Sequence, residues 1–476
     1  MITRPREYLQ TDGMPPTEML KSVLSEHLDA LPRLTKLSRY YRGENDILNR
    51  KRSDGLPNNR MSHAYARYIV SVTSGYLIGQ PVSYSTENSE TLDEVLDIFK
   101  RNAISSVDAE NARNAAIYGR GIEYVHVDSD GLPKTTALSP EDAFVVYDDT
   151  CDVLPMFGVY LIHKVKVDGT ADGYRVWVMG ETKIAEYRCE QLNSDTYDLI
   201  EENVHYFGGV PLVEYWNDEN EMGDFEWVIP QIDGYDKLES DRLNDKEQFV
   251  DALLLLTGCV MDKDERGREP WKQLREDKAL CLPDSTASAT YLHNSMDENG
   301  NQIFRDNIVE DIHKLSMVPD LSDRNFAANA SGVAMKYKLL GLEQLTRIKE
   351  QWFTEGLKAR LKLFLNFLAL RGFPTLDISD VRIELSRSLP ANLTEIAENI
   401  RVADDAGAVS TETKVRMFHA GDDWTEQDIQ DEIDRIQGEK NTADPMMQMG
   451  NVLFGDTSEQ LDEQDEQDDR EEQIEG

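Results

Sequence analysis

Apolar residues recur every three or four positions through the first quarter of the chain, and this spacing predicts helices there. The stretches that show it are 16–31, 31–43, 91–99 and 106–119. Gly43 and Gly119 are expected to end the helices before them, since glycine readily adopts the left-handed conformation at a helix C-terminus. Thr91 and Glu94 have the spacing of a capping box, which predicts that a helix starts at Thr91.

Residues 57–85 combine a turn, a helix and a strand. The Pro-Asn-Asn sequence at 57–59 favours a turn, because proline fixes φ and asparagine tolerates tight backbone geometry. A helix is predicted from about Ser62, and its buried face comprises Tyr65, Ile69, Val72 and Tyr76. A Gly-x-Pro sequence ends that helix, and the VSYS at 82–85 is predicted as a strand.

The pattern changes to alternation between residues 121 and 217, which predicts an antiparallel β region. The GIEYVHV at 121–127 alternates clearly, and later runs such as AFVVYD and YRVWVMG are separated by Gly, Asp and Asn. Asp128, Asp130 and Gly131 resemble the start of a calcium loop. The glycine comes too early and no glutamate closes the loop, so a hairpin turn is predicted instead.

Two long helical patterns flank a less regular stretch between residues 230 and 319. The first, 230–257, is predicted as a single helix of about 40 Å. The second, 302–319, has one apolar face that comprises Phe304, Ile308, Ile312 and Leu315. Residues 258–301 between them contain short alternating pieces and a polar turn. This order predicts a helical hairpin that carries a small module at its tip.

A loop and an unusually long helix follow. Small and polar residues dominate 320–332, which favours a mobile loop. No proline interrupts the stretch 333–371, which would extend about 55–60 Å as one helix. Gly341 and Gly356 each favour a kink near their position.

The last hundred residues return to short elements. VRIELS, at 381–386, is predicted as a strand, and three short helices are predicted at 392–407, 410–418 and 425–440. Beyond about residue 441 the hydrophobic periodicity disappears, and the chain becomes a stretch rich in acidic residues and glutamine. Such a tail buries too little apolar area to fold alone, so we expect it to be disordered.

Composition limits the class of protein. The 476 residues carry a formal net charge of −40, with 40% hydrophobic residues, so two to four packed domains are expected. A chain this acidic should not wrap nucleic acid tightly, because tight binding needs Lys and Arg to displace phosphate counterions. The charge serves either general solubility or a surface that tolerates nearby DNA without gripping it.

Cysteine usage and apolar run lengths indicate a soluble, intracellularly made protein. Cys151, Cys189, Cys259 and Cys281 make no Cys-x-x-Cys pair, which argues against a zinc ribbon and favours a reducing compartment. The first ten residues contain no apolar signal segment. The longest apolar runs are too short to span a bilayer, so no membrane association is expected.

Known catalytic motifs are missing. The chain has no phosphate-binding loop of the type GxxxxGK[ST], no GxSxG nucleophile elbow and no HExxH zinc helix. Carboxylates are abundant enough that a two-metal nuclease is not excluded, although chance pairs are expected at this composition. We therefore expect no enzymatic activity, catalytic residue, metal site or cofactor.

Five segments in order carry a resemblance to the portal proteins of long-tailed double-stranded DNA bacteriophages. They are YYRGEND at 40–46, PNNRM…YLIGQPVSY at 57–84, NAAIYGRGIEYVHVD at 114–128, the hairpin at 230–319 and NASGVAMKYKLLGLE at 329–343. The resemblance implies an α+β, mainly helical fold. In portal terms it contains a wing, a two-helix stem, a small α/β clip, a long helix and a helical crown.

The resemblance also implies a division of the chain into regions. These are the wing at 1–229, the stem helices at 230–257 and 302–319, the clip at 258–301, the tunnel loop at 320–332, the long helix at 333–371, a return strand to the wing at 372–390, the crown at 391–440 and an acidic disordered tail at 441–476.

A portal is a homo-oligomeric ring, usually of about twelve subunits, at one vertex of the capsid. The resemblance implies a channel for double-stranded DNA in packaging and ejection. It also implies docking of the terminase large subunit and of the head–tail connector or adaptor, and contacts with the major capsid protein and scaffold. Such a protein belongs to the virion and is made in the host cytoplasm.

Two sets of residues are candidates for these contacts. The tunnel loop and its surroundings offer Arg324, Asn325, Asn329, Ser331, Lys336 and Lys338 for transient contacts with phosphates, although an ordinary surface loop explains them equally well. The clip contains a basic cluster of Arg266, Arg268 and Lys272, which we expect to contact a partner or the exiting DNA. The alternatives to a portal are another virion connector or scaffold protein and a metal-dependent nuclease.

Overall fold

The computed structural model describes residues 1–53, 57–86, 89–194, 196–250, 253–257, 288–292, 298–321, 335, 337–387, 393–419, 424 and 428–438. The chain divides into two compact units, Met1–Ser388 and Leu389–Gly476. The first unit contains mixed helices and sheets around four apolar clusters. This confirms the predicted α+β class.

The first helix, α1 (Thr17–Tyr41), is continuous through Pro32, where two separate stretches were expected. A proline inside a helix removes one backbone hydrogen bond. Packing compensates, because the two halves of α1 enter different cores. Val23 and Leu24 are buried against the large sheet, and Leu34 and Leu37 are buried among other helices.

Three further helices precede the β region: α2 (Tyr65–Ile78), α3 (Ser89–Arg101) and α4 (Ile104–Tyr118). The capping box predicted at Thr91 is wrong, because α3 begins at Ser89 and the Thr91 hydroxyl donates to the Pro374 carbonyl instead. The predicted stop at Gly119 is confirmed. Its φ is +89°, and a Cβ there would lie 1.9 Å from the Glu221 carbonyl oxygen.

The predicted antiparallel region forms two sheets. Its strands are β3 (Arg120–Val127), β4 (Pro133–Leu138), β5 (Ala143–Asp148), β6 (Pro155–Val165), β7 (Ala171–Met179), β8 (Lys183–Cys189), β9 (Asp198–Val204) and β10 (Leu212–Trp216). With the N-terminal strand Ile2–Arg4 as β1, the six-stranded sheet has the order β1-β5-β6-β7-β8-β9, and the three-stranded sheet has the order β10-β3-β4. The N-terminal strand β1 (Ile2–Arg4), which was not predicted, pairs with β5 in parallel.

The helical hairpin differs from its prediction at one end. Helix α5 (Ile229–Val250) stops before the leucine run, which forms strand β11 (Leu253–Thr257). This strand pairs antiparallel with β12 (Ser288–Leu292). A run of leucines suits a helix or a strand equally, and the pairing with a segment about thirty residues away decides the matter. The return helix, α6 (Glu298–Ser316), packs against α5.

The long helix α7 (Leu340–Leu370) follows a turn at Leu339, and the described residues before that turn, Met335, Tyr337 and Lys338, are also helical. Gly356 has a packing role in it. A Cβ at this position would lie 2.4 Å from the ring of Tyr215, so the strand β10 approaches the helix backbone directly. The glycine predicted to favour a kink is therefore required for close helix–sheet contact.

We expect Gly356→Ala to lower the free energy of unfolding by about 1–3 kcal/mol, because the added methyl group overpacks the contact with Tyr215. Alanine has the higher helix propensity, so an open site would give stabilisation of up to about 1 kcal/mol. Urea unfolding at one protein concentration measures the difference. Gly234→Ala, on α5 with nothing within 4 Å of the new Cβ, is the control, and a gain in stability in both variants would contradict the packing role.

After α7 the chain forms a separate two-stranded sheet with a strand from the first hundred residues. Strand β13 (Arg382–Glu384) pairs antiparallel with β2 (Ser83–Ser85), so two predicted strands that are distant in sequence meet. The second unit contains α8 (Leu393–Asp405), α9 (Thr411–Phe418) and a helix over 428–438. These are the three short helices that were predicted. The acidic tail lies outside the described residues.

Candidate functional site

The residues predicted to contact DNA or partners lie almost entirely outside the described part of the chain. This holds for Arg324, Asn325, Asn329, Ser331 and Lys336, and for Arg266, Arg268 and Lys272. Lys338 is described: it is exposed and lies one residue before the turn that precedes α7. The start of α7 follows the predicted loop in sequence, and the individual roles of these residues stay predictions.

The segment that carries the Pro-Asn-Asn-Arg motif lies along one side of α5. The Asn59 backbone N–H donates to the Asn244 side-chain oxygen at 2.7 Å, and the Met61 N–H donates to the Ser240 hydroxyl at 2.9 Å. One helical turn further, the His63 N–H donates to Asp236 at 2.9 Å. The three acceptors on α5 are four residues apart, so they form one polar stripe along the helix.

This stripe is buried and also holds the segment before the motif. Asp236, Ser240 and Asn244 are all fully buried. The second carboxylate oxygen of Asp236 accepts from the Asn45 amide at 2.6 Å, and Asn45 donates to the His63 carbonyl at 3.1 Å. Backbone groups that would otherwise lose water are therefore satisfied by side chains of α5. The Pro-Asn-Asn-Arg segment therefore has a structural role: it holds the extended chain around residues 57–63 against α5 of the helical hairpin.

We expect Asn244→Ala to lower the free energy of unfolding by about 1–3 kcal/mol, because the partly buried Asn59 N–H loses its acceptor. Urea unfolding and amide hydrogen exchange at Asn59 measure the effect. Asp245→Ala, on the same helix with its side chain away from the stripe, is the control. Equal stability of the two variants would contradict the role of the stripe.

A buried ion pair attaches α7 to helix α2 and to the segment that follows β10. Lys349 Nζ lies 2.5 Å from a carboxylate oxygen of Asp224, and both side chains are at most 2% exposed. The same Asp224 oxygen accepts from the Thr73 hydroxyl of α2, and the other accepts from the Asn217 amide at 2.8 Å. One carboxylate thus joins three elements.

A second buried group lies three turns further along α7. Arg360 is fully buried and its guanidinium donates to Asp108 of α4 at 2.5 Å and to Tyr84 of β2 at 2.8 Å. Glu123 of β3, 3.4 Å from the guanidinium, accepts from Tyr215 at 2.6 Å and from Asn111 at 2.9 Å. Burial raises the pKa of Glu123 above its usual value.

A third polar group is partly exposed at the start of α7. Glu343 accepts from Tyr76 of α2 at 2.9 Å and lies 3.3 Å from Arg387, which also pairs with Glu350 at 2.5 Å. The long helix is therefore attached at three levels to α2, α4, the sheet and the strand that follows it.

Two cationic residues within the buried stripe of α7 are a signal for the buried ion pairs, which the sequence analysis did not predict. Lys349 and Arg360 fall on the buried stripe of α7, which runs through Thr346, Lys349, Phe353, Leu357, Arg360, Phe364 and Leu368. A charge at a position that the helical period assigns to the core requires a buried partner. Which carboxylates supply the partner depends on the tertiary fold.

The buried charges on α7, Lys349 and Arg360, form structural ion pairs. Within the described ranges, no group of three or more His, Cys, Asp or Glu side chains is arranged to hold a metal ion. Among the helices that the structure describes, none combines the length and apolar character that a membrane crossing needs.

Comparison with known proteins gives consistent matches. A family model described as "Phage portal protein, SPP1 Gp6-like" matches residues 20–446. The portal protein of Bacillus phage SPP1 is 26% identical over 474 residues, with coverage of 92% of this chain and 89% of the relative. The portal protein of Clostridium phage phiCD119 is 23% identical over 397 residues, with coverage of 78% and 87%.

Solved structures with chains similar to this one include the virion of a native gene transfer agent particle. Its chain is 13% identical with a TM-score of 0.43, and the match covers 81% of this chain and 92% of that one. A chain in the neck of the native particle, computed with C12 symmetry, is 12% identical with a TM-score of 0.42 and the same coverage.

Proposed function

Since the chain belongs to the phage portal protein family of the SPP1 Gp6-like type, we propose that about twelve copies of it close into a ring at one vertex of a phage capsid. The ring encloses the channel through which double-stranded DNA enters during packaging and leaves during ejection. The observation that carries this proposal is the family match, which spans residues 20–446 and thus includes nearly all of the described chain.

The charge of the chain supports a channel through which DNA slides. A ring of chains that each carry −40 repels phosphates, whereas a lining dense in Lys and Arg would hold the duplex by many charge contacts. We assign the transient phosphate contacts to Arg324, Asn325, Asn329, Ser331, Lys336 and Lys338. The firm attachment of α7 supports this assignment, because contacts at its N-terminal end would act on a fixed helix.

Docking of partners is assigned to the clip, the wing and the surfaces around them. We propose that the clip at 258–301, with Arg266, Arg268 and Lys272, binds the terminase large subunit during packaging and the head–tail connector afterwards. The wing at 1–229 contacts the major capsid protein and scaffold. The protein is made in the host cytoplasm, becomes part of the virion and hydrolyses nothing itself.

Electron microscopy with mass photometry on the purified protein tests the ring directly. We expect particles of about a dozen subunits with a central hole as wide as a DNA duplex. Filaments or polydisperse particles would favour a scaffold. A stable monomer that cleaves DNA only with a divalent cation would favour a nuclease, and either result would overturn the proposal.

A further inference from the structure

One exposed surface of the first unit is basic although the chain as a whole is strongly acidic. The segments 43–52 and 57–64 run side by side, joined by hydrogen bonds from Ser62 to the Gly43 carbonyl at 2.6 Å and from Arg60 to the Leu48 carbonyl at 2.6 Å. Four exposed side chains on this pair, Leu48, Lys51, Arg60 and Met61, form what we call the basic surface. The exposed acids beside it are paired, Glu44 with Arg42 and Asp46 with Lys36 and Arg39.

The basic surface combines unpaired cations with exposed apolar side chains. Lys51 and Arg60 form no ion pair with any residue in the described ranges, and Leu48 and Met61 are 37% and 36% exposed. Protein interfaces are enriched in aromatic residues, methionine and arginine, whereas DNA-binding surfaces are more polar and wet. This composition favours an acidic protein partner.

A second exposed surface lies on α6 and has the opposite charge. Phe304, Asp311 and Leu315 are spaced by seven and four residues, so they lie on one line along the helix. Phe304 is 57% exposed and Leu315 is 52% exposed, and neither Asp311 nor the neighbouring Glu310 pairs with a cation in the described part of the chain. We call these residues the acidic surface.

The elements that carry the two surfaces pack against different sides of α5. The basic surface is attached to the buried stripe of Asp236, Ser240 and Asn244 on α5. Helix α6 contacts another side of α5, where Arg305 lies 3.4 Å from Glu239 and Glu298 lies 3.4 Å from Arg242. At 3.6 residues per turn these two sides are about 130° apart around the helix axis.

We propose that the basic surface of one copy binds the acidic surface of α6 in the next copy. This inference rests on the proposed ring and identifies one contact that closes it. A ring built from head-to-tail contacts needs two different, complementary surfaces on each subunit. Chains that each carry −40 repel one another, so their association requires that exposed cations lie at the contact.

In the proposed contact, apolar side chains supply the buried area, and the opposite charges determine which two surfaces pair. Leu48 and Met61 meet Phe304 and Leu315, which removes four exposed apolar side chains from water. Lys51 and Arg60 meet Glu310 and Asp311. Two basic surfaces cannot face each other without repulsion, which excludes a symmetric pairing of like surfaces.

Cross-linking between two singly labelled chains tests this arrangement. All chains carry Cys151→Ser, Cys259→Ser and Cys281→Ser, and one carries Met61→Cys while the other carries Phe304→Cys. A mixture of the two is treated with a short bismaleimide after assembly. We expect a cross-linked dimer in the mixture and at most the background in either chain alone. Dimers in the Met61→Cys chain alone would overturn the proposal.

Charge exchange tests the same contact without cysteine. We expect Arg60→Glu or Asp311→Arg alone to raise the protein concentration needed for half-assembly by about tenfold, because each places like charges opposite one another. The double variant is expected to regain most of the assembly. Lys100→Glu, at a side chain that is 82% exposed on α3, is the matched control and should assemble like the unchanged chain.

The outcomes separate this inference from the proposed ring. Rings that assemble normally in Arg60→Glu, with no cross-link in the mixed chains, would overturn the contact and leave the ring intact. If the unchanged chain forms no ring, the proposed function fails first. If Arg60→Glu forms rings but retains less DNA after packaging, the basic surface serves DNA and the proposed contact is wrong.

Discussion

Replacing Arg360 with methionine is expected to lower the free energy of unfolding by about 3–5 kcal/mol, because two carboxyl groups lose their buried cation. The guanidinium is fully buried and contacts Asp108, Glu123 and Tyr84. Methionine fills part of the volume, so the measured loss reflects charge more than a cavity. Urea unfolding at a fixed protein concentration gives the value.

The pH dependence of this loss distinguishes charge from packing. In Arg360→Met, the folded state holds Glu123 without a cation, which raises its pKa further above that in the unfolded chain. The folded variant then binds more protons than the unfolded one, so its stability recovers as the pH falls through the raised pKa. We expect a smaller deficit at pH 5 than at pH 8.

Two variants control the result. Arg360→Met combined with Asp108→Asn and Glu123→Gln removes all the charges, and we expect it to regain at least about 1 kcal/mol and to lose the pH dependence. Arg347→Met changes an arginine of the same helix that is 72% exposed and should lie within about 0.5 kcal/mol of the unchanged chain. A deficit that is equal at both pH values would show that packing alone is lost.

Lys349→Met is expected to be the second large effect, again about 3–5 kcal/mol, because it leaves the Asp224 carboxylate buried without its cation. Among the described residues, Thr73 and Asn217 would remain as donors to the Asp224 carboxylate. The same urea experiment measures the loss. In the ring, we expect this variant to assemble less completely, since α7 loses one of its two attachments to α2, the one through Asp224 and Thr73.

The comparison with Lys349→Met/Asp224→Asn identifies the cause. Removing both charges should restore part of the stability, because no unpaired ion remains in the core. Lys358→Met, at a partly exposed lysine on the same helix, should change stability by about 0.5 kcal/mol at most. If the double variant is no more stable than Lys349→Met, the ion pair is not what holds α7 in place.

Both cations occupy buried positions of α7, whose apolar residues recur in the sequence at Leu345, Ile348, Trp352, Leu361, Phe364 and Leu368. The structure buries Leu361, Phe364 and Leu368, but Ile348 is 50% exposed while Lys349 beside it is buried. Periodicity gives the helix but not its rotation about its own axis, because several apolar stripes compete on a helix of this length. The apolar clusters that pack against α7 determine which of its stripes is buried.

Local signals determined much of the secondary structure. The left-handed glycine at Gly119, the buried face of α2 and the alternation through β3–β10 are consequences of steric and hydrophobic preferences within a few residues. The order of these elements, together with the motif segments, also carried the family resemblance. Chain composition added the strong negative charge that any proposed DNA channel must accommodate.

The tertiary structure alone decided which distant segments meet. It joined β1 to β5 in parallel, turned the leucine run into strand β11 and carried α1 through Pro32. It also placed the Asn-Asn segment on the polar stripe of α5 and paired Arg360 with Asp108 across 252 residues. Local propensity acts over a few residues, whereas strand pairing and buried charges depend on partners that only the folded chain brings within contact distance.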